Sequence, residues 1–184
     1  IGFYGDSITE GNSVGNSLNT SYYKDRFANL IGEKLDKPYF VSGRSSGNIN
    51  GVLARMQTEL PSILPKYVFV TIGTNGSNTE TNLNQLVDYC ENLGIKVILN
   101  LIPLFDGSTS AKNVIIQNVV DSKKLISVKM NIATSVNGDG VTKDNSKFAN
   151  EGGVYIHPNI DGNLAIYNRT LIDAEEIFTE AGVF

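Results

Sequence analysis

Two side chains in this 184-residue sequence could do acyl-transfer chemistry together: Ser7, in Gly5-Asp6-Ser7-Ile8-Thr9, and His157, in His157-Pro158-Asn159. A serine hydroxyl is a weak nucleophile until a base takes its proton, and histidine is the side chain tuned for that near neutral pH. His157 is the one histidine present. Taken alone it would ordinarily be read as structural, so the pairing needs further parts. Acyl transfer also requires donors aimed at the oxyanion of a tetrahedral intermediate, typically backbone N–H groups and an amide side chain. Gly47 can bring its N–H close and Asn75 can present an amide, although each is equally at home as an ordinary turn residue.

The elements that would position these residues follow from hydrophobic periodicity. Ile1 to Tyr4, Tyr39 to Val41, Tyr67 to Ile72, Lys96 to Leu101 and Ile126 to Met130 read as strands. Tyr23 to Leu35, Ile49 to Leu60, Leu83 to Leu93, Ala111 to Lys124 and Ala165 to Ala181 read as helices. This alternation predicts a three-layer α/β/α sandwich around a central, mostly parallel five-stranded sheet. Sites in such sheets form outside the carboxyl ends of the strands. Gly5-Asp6-Ser7, Ser42 to Gly47 and Gly73-Thr74-Asn75 follow the first three strands, so three small polar turns would meet at one edge. The long segment Ser135 to Gly153, rich in Gly, Asn and Asp, precedes His157 directly, and loops of that length are often functional. Residues 1–184 are expected to be one domain, cut from or belonging to a longer chain.

Four blocks in order, Gly5-Asp6-Ser7-Ile8-Thr9, Gly47, Gly73-Thr74-Asn75 and His157-Pro158-Asn159, resemble the SGNH or GDSL hydrolase family. The resemblance runs from the first residues to His157. It implies a flavodoxin-like sheet, Ser7 as nucleophile, His157 as general base, and an oxyanion hole built from the N–H groups of Ser7 and Gly47 with the Asn75 side chain. Gly43, in Gly43-Arg44-Ser45, competes with Gly47 for that place. Two departures stand out. Gly76 occupies the place of the family's Asp in Gly-x-Asn-Asp. Val154 occupies the place, three residues before the histidine, where the family carries its acid. A Ser-His dyad is therefore the first expectation. Glu151, followed by Gly152-Gly153, is the next choice of acid partner if the chain bulges, ahead of Asp139 and Asp144. Asp6 is expected to bond loop backbone rather than act as the acid.

Composition narrows the partners. A net charge of −4 disfavours nucleic acid and anionic lipid, since both bind clustered positive charge. No apolar run is long enough to span a bilayer. One cysteine, Cys90, cannot form an internal disulfide, and one histidine gives too few ligands for an ordinary zinc site, so neither metal nor cofactor is expected. Cys90 reads as a buried small hydrophobe. Asn137-Gly138-Asp139-Gly140 lacks the ligand alternation of a calcium loop and reads as a surface turn. Only 18% of residues are charged, which is compatible with an exported protein facing polysaccharide.

The sequence has no tryptophan, so Tyr22, Tyr23, Phe105 and Tyr155 are the candidates for a sugar platform, with core packing as their ordinary role. No apolar insertion suggests a long acyl tunnel. The expected activity is removal of a short acyl group, acetyl first, from a carbohydrate or similar small ester. Three alternatives remain at this stage: a catalytically degenerate glycan-binding module, a lipase or thioesterase of the same fold, and a flavodoxin-like nucleotide binder. The last is opposed by the carboxylates Asp6 and Glu10 where a phosphate would sit. Oligomeric state is not legible.

Overall fold

Four short runs rich in apolar and β-branched residues form β1 (Gly2–Gly5), β2 (Phe40–Gly43), β3 (Tyr67–Thr71) and β4 (Lys96–Leu99) in the computed structural model, which describes residues 1–14, 20–76 and 78–184. They pair in the order β2-β1-β3-β4, all parallel, with Gly5 beside Gly43 on one side and Thr71 on the other. The helices are α1 (Ser7–Glu10), α2 (Phe27–Leu35), α3 (Ile49–Ile63), α4 (Glu80–Asn92), α5 (Thr109–Lys123), α6 (Met130–Ala133), α7 (Ile160–Asp173) and α8 (Glu175–Glu180).

Side-chain alternation along the strands builds two cores. Tyr4, Val68, Val70 and Leu99 pack against α3, α4 and α5, while Phe3, Phe69 and Ile98 pack against α2, α7 and α8. Parallel strands covered on both faces have no polar side, and for that reason Tyr67-Val68-Phe69-Val70-Thr71 is buried throughout. The chain passes from β1 out to β2, then crosses back through α3 to β3 on the other side. This reversal leaves a crevice at the carboxyl ends of β1 and β3, the switch point at which open α/β sheets bind ligands.

The expected fifth strand is only partly realised. Leu99 N–H donates to the Ile126 carbonyl at 3.1 Å and Leu101 N–H to the Val128 carbonyl at 3.0 Å, giving isolated bridges at Ile126 and Lys129. Between them the Val128 N–H turns to the Asn100 side chain at 3.4 Å. A buried side-chain acceptor thus takes a donor that a continuous ladder would use, and the sheet counts four strands instead of five.

Two helix boundaries also differ from expectation. Instead of one helix from Tyr23 to Leu35, a 3-10 turn (Thr20–Asp25) precedes α2. The break lies at extended Arg26, whose guanidinium ties back to the Glu10 carbonyl at 2.9 Å and to Asn29 at 2.6 Å. The last helix is broken at buried Ala174 (φ −123°), which lets α8 turn Ile177 and Phe178 into the core. Among the described residues no helix is long and apolar enough to cross a membrane.

Candidate active site

Ser7 opens α1 at the carboxyl end of β1. Asp6 caps that single turn, accepting the Ile8 N–H at 3.0 Å. Gly5 is required by close approach, because a Cβ there would stand 2.3 Å from the Thr71 carbonyl oxygen and 2.2 Å from the Thr9 hydroxyl. The serine turn is thereby wedged against β3. Asp6 is fully buried and its second carboxylate oxygen has no hydrogen-bond partner among the described residues. Burial pushes its pKa up to about 6, against the opposing pull of the Ile8 N–H, Thr74 and His157.

His157 reaches the same edge on a hairpin. Ala149 N–H donates to the His157 carbonyl at 2.9 Å and Glu151 N–H to the Val154 carbonyl at 2.8 Å. The two residues between Glu151 and Val154 are Gly152 (φ +71°) and Gly153 (φ +91°), the positive-φ pair that a type I′ turn demands. Between the two bonds the pairing slips by one residue, so the returning arm carries a bulge. Below the hairpin, Asn159 caps α7 through the Gly162 N–H at 3.0 Å. Buried Asn163 bridges the Pro158 carbonyl (2.8 Å) to the Phe27 N–H (2.9 Å) of α2. His157 therefore sits directly on a pinned helix start.

The resulting contacts are short. His157 Nε2 lies 2.8 Å from Ser7 Oγ, and His157 Nδ1 lies 2.9 and 3.1 Å from the two Glu151 carboxylate oxygens. A carboxylate at Nδ1 favours the tautomer protonated there, which leaves Nε2 free to accept the Ser7 proton. Ser13 Oγ donates to the Glu151 carboxylate from the loop after α1. Burial would raise the Glu151 pKa, but the Ser13 hydroxyl and His157 outweigh it and hold the carboxyl below its ordinary value. Val154, at the family's acid position, is half exposed. Asp139 and Asp144 bond the backbone of their own turns at Val141, Thr142 and Ser146.

The expected oxyanion donors are placed unequally. Asn75 stands at the end of β3 beside Ser7 and donates to the Gly47 carbonyl at 3.3 Å, a long bond. Gly47 N–H is taken by the Arg44 carbonyl at 3.0 Å, closing a turn. Ser7 N–H, at the first position of α1, has no partner within the helix. Gly43 lies in β2 with Glu10 N only 2.2 Å from where a Cβ would stand, so its role is to let α1 approach. Gly76, in place of the family Asp, has nothing within 4 Å of its own Cβ position.

Ser7, Asn75 and His157 open onto a cleft of about 210 Å³. Asn12, Ser45 and Ser46 form a polar wall, and Phe105 and Ile156 an apolar one. Of the other aromatic candidates, Tyr23 stacks under Arg26 and Tyr155 under Lys143, and the Tyr22 side chain lies outside the described residues. Cys90 is buried in the core, its thiol pushed up to about 12 by burial. Asn12, Ser13 and Ile156 carried no sequence signal. A mostly apolar hollow of about 290 Å³ at the opposite end of the sheet, near Ile1, Tyr67 and Ile177, has no serine, cysteine or histidine among its lining residues.

No protein-family model and no curated protein matches the sequence. Solved structures match the fold along nearly its whole length. A G-D-S-L family protein from Desulfitobacterium hafniense superposes with a TM-score of 0.75 at 15% identity, covering 96% of this chain and 97% of its own. A catalytic mutant of Axe2, an acetylxylan esterase from Geobacillus stearothermophilus, gives 0.71 at 15% identity, covering 94% and 92%. The psychrotrophic esterase EstA from Pseudoalteromonas sp., inhibited by monoethylphosphonate, gives 0.69 at 18%, covering 95% and 96%. The chain has the α/β fold of the GDSL, or SGNH, hydrolases, and the resemblance carried by four short blocks extends to the whole architecture.

Proposed function

We propose that this protein is a serine esterase that removes a short acyl group, acetyl first, from a carbohydrate or similar small ester through an acyl-enzyme. The observation that carries the reading is the unbroken hydrogen-bonded line from Ser7 Oγ through His157 to Glu151. His157 Nε2 takes the Ser7 proton as Oγ attacks the ester carbonyl, and Glu151 stabilises the imidazolium so formed. The same proton passes to the departing alcohol, and water then repeats the sequence to free the acid. Ser7 N–H and the Asn75 amide bind the oxyanion. Gly47 N–H would have to give up its bond to the Arg44 carbonyl to join them.

The small cleft, polar on one wall, supports a short acyl group on a polar alcohol, and one structural neighbour is an acetylxylan esterase. The degenerate glycan-binding alternative rested on Val154 at the acid position. The Glu151 contact with His157 supports the catalytic reading over it.

Hydrolysis of p-nitrophenyl acetate and of acetylated sugars by the wild type, Ser7→Ala and His157→Ala tests the reading, with labelling of Ser7 by a fluorophosphonate alongside. Loss of about 10⁴-fold or more in either variant is expected. An inactive, unlabelled wild type would sink it, and a preference for octanoate over acetate would replace the acetyl assignment with the lipase or thioesterase alternative.

A further inference from the structure

Lys143 stands on the long loop before the hairpin, partly buried, with its ammonium turned onto the protein. Its Nζ donates to the Phe105 carbonyl at 2.8 Å and also to the Tyr155 carbonyl. The same ammonium lies 4.8 Å from the Phe148 ring centroid and 5.5 Å from that of Tyr155. Its backbone is fixed independently, by an antiparallel bridge to Ser135 and by the Asp144 N–H on the Thr134 carbonyl at 3.1 Å. Thr134 is itself buried and accepts the Leu104 N–H at 3.1 Å.

The two carbonyls that Lys143 holds belong to different segments of the chain. Phe105 follows β4, and Tyr155 lies on the returning arm of the hairpin, one residue before Ile156 and two before His157. Phe105 and Ile156 are the apolar lining of the cleft, the surface against which an acyl chain would lie while the alcohol faces Asn12 and Ser45. Phe105 is held from its other side as well: Lys112 Nζ lies 4.9 Å from its ring centroid and donates to the Thr74 carbonyl at 3.2 Å. An ammonium shared between two carbonyls and two rings is a stiff tie, since partial burial strengthens each contact.

We propose that Lys143 is a positioning residue that fixes the spacing of Phe105 and Ile156 within the apolar lining of the cleft and thereby limits the acyl chain the site accepts. This rests on the ester-cleaving reading above. Lys143 touches no reacting atom. Its removal frees two loops to part and leaves the Ser7–His157–Glu151 contacts without a direct loss.

The test compares kcat and KM for p-nitrophenyl acetate and p-nitrophenyl hexanoate in the wild type, Lys143→Met, Lys143→Arg and Phe105→Ala. Methionine keeps the apolar stem and loses the donors. The acetate-to-hexanoate ratio of kcat/KM should fall about tenfold or more in Lys143→Met, mainly through a lower KM for hexanoate, since each pocket methylene is worth about that much. Arginine, with donors enough for both carbonyls, should restore most of the ratio. A merely structural lysine would lower both activities together and leave the ratio alone.

A ratio within about twofold of wild type in Lys143→Met overturns the proposal, whatever its stability. If that variant does not fold, Phe105→Ala decides: an unchanged ratio there shows that the wall does not gauge the acyl chain, and a collapsed ratio supports the assignment together with the Lys143→Arg result. A wild type that cleaves neither ester overturns the esterase reading and this inference with it. A wild type that cleaves acetate while the ratio stays fixed in the variants overturns the inference alone.

Discussion

Glu151 meets His157 Nδ1 at 2.9 Å from a position six residues upstream, with a two-glycine turn between them. The usual family spacing is three, and the residue standing there, Val154, is half exposed. The hairpin makes the difference: doubling the chain back at Gly152-Gly153 brings a more distant carboxylate onto the imidazole edge.

Glu151→Gln should lower kcat for p-nitrophenyl acetate on the order of 10²- to 10³-fold, with KM little changed. That is less than the roughly 10⁴-fold loss at a buried triad acid, because the Glu151 side chain is 32% exposed and water can partly replace it. Steady-state kinetics of the purified variant read this directly. A loss of only a few fold would return the site to a Ser-His dyad.

Ser13→Ala removes the hydroxyl that helps hold the Glu151 carboxyl below its ordinary pKa of 4.5. The carboxyl then protonates at a higher pH, so the acid limb of the kcat/KM profile moves upward, and kcat at its plateau falls roughly tenfold, the worth of one charge-assisted hydrogen bond. Ser13 holds φ +59°, so asparagine, which tolerates that backbone and carries a donor, is the restoring variant. An acid limb that does not move in Ser13→Ala would show that Ser13 has no hold on the acid.

Asp6 gives stability a pH dependence of the less common sign. Its folded pKa of about 6 lies above the ordinary carboxyl value of 3.8, so the native state binds more protons than the unfolded chain between those limits. Stability contributed by the protonated form is present below the lower limit and is lost as pH rises through the upper one, a change of about 3 kcal/mol. Glu151, held low, slopes the opposite way, but below its ordinary 4.5. Denaturant unfolding at pH 4.5 and pH 7 should show this decline in the wild type and a flatter dependence in Asp6→Asn, which can still cap α1. Equal slopes in both proteins would remove Asp6 as the source.

The layers, the strand order along the chain and the Ser7, Asn75 and His157 turns were legible because each depends on local signals: apolar runs and small residues at strand ends. The incomplete fifth strand was not, because the Asn100 side chain that intercepts the Val128 N–H acts across the sheet edge. Cys90 read correctly as core from its apolar surroundings. Glu151 could be narrowed to a candidate from the Gly-Gly that follows it. Ser13, lying 138 residues away from Glu151 in sequence, and Lys143, whose partners are main-chain carbonyls, left no pattern to read. Gly47 was legible as a close-approach glycine, but the engagement of its N–H by Arg44 was not.

The Gly-Gly hairpin places His157 and Glu151 on one small unit that meets Ser7 through the His157 side chain. Local opening of such a unit costs far less than unfolding the domain. On the esterase reading, base and acid would leave the nucleophile together, giving an off state in which the folded body persists and Ser7 is merely an alcohol, and exchange of the Ala149 and Glu151 amide hydrogens should report how often that state is visited.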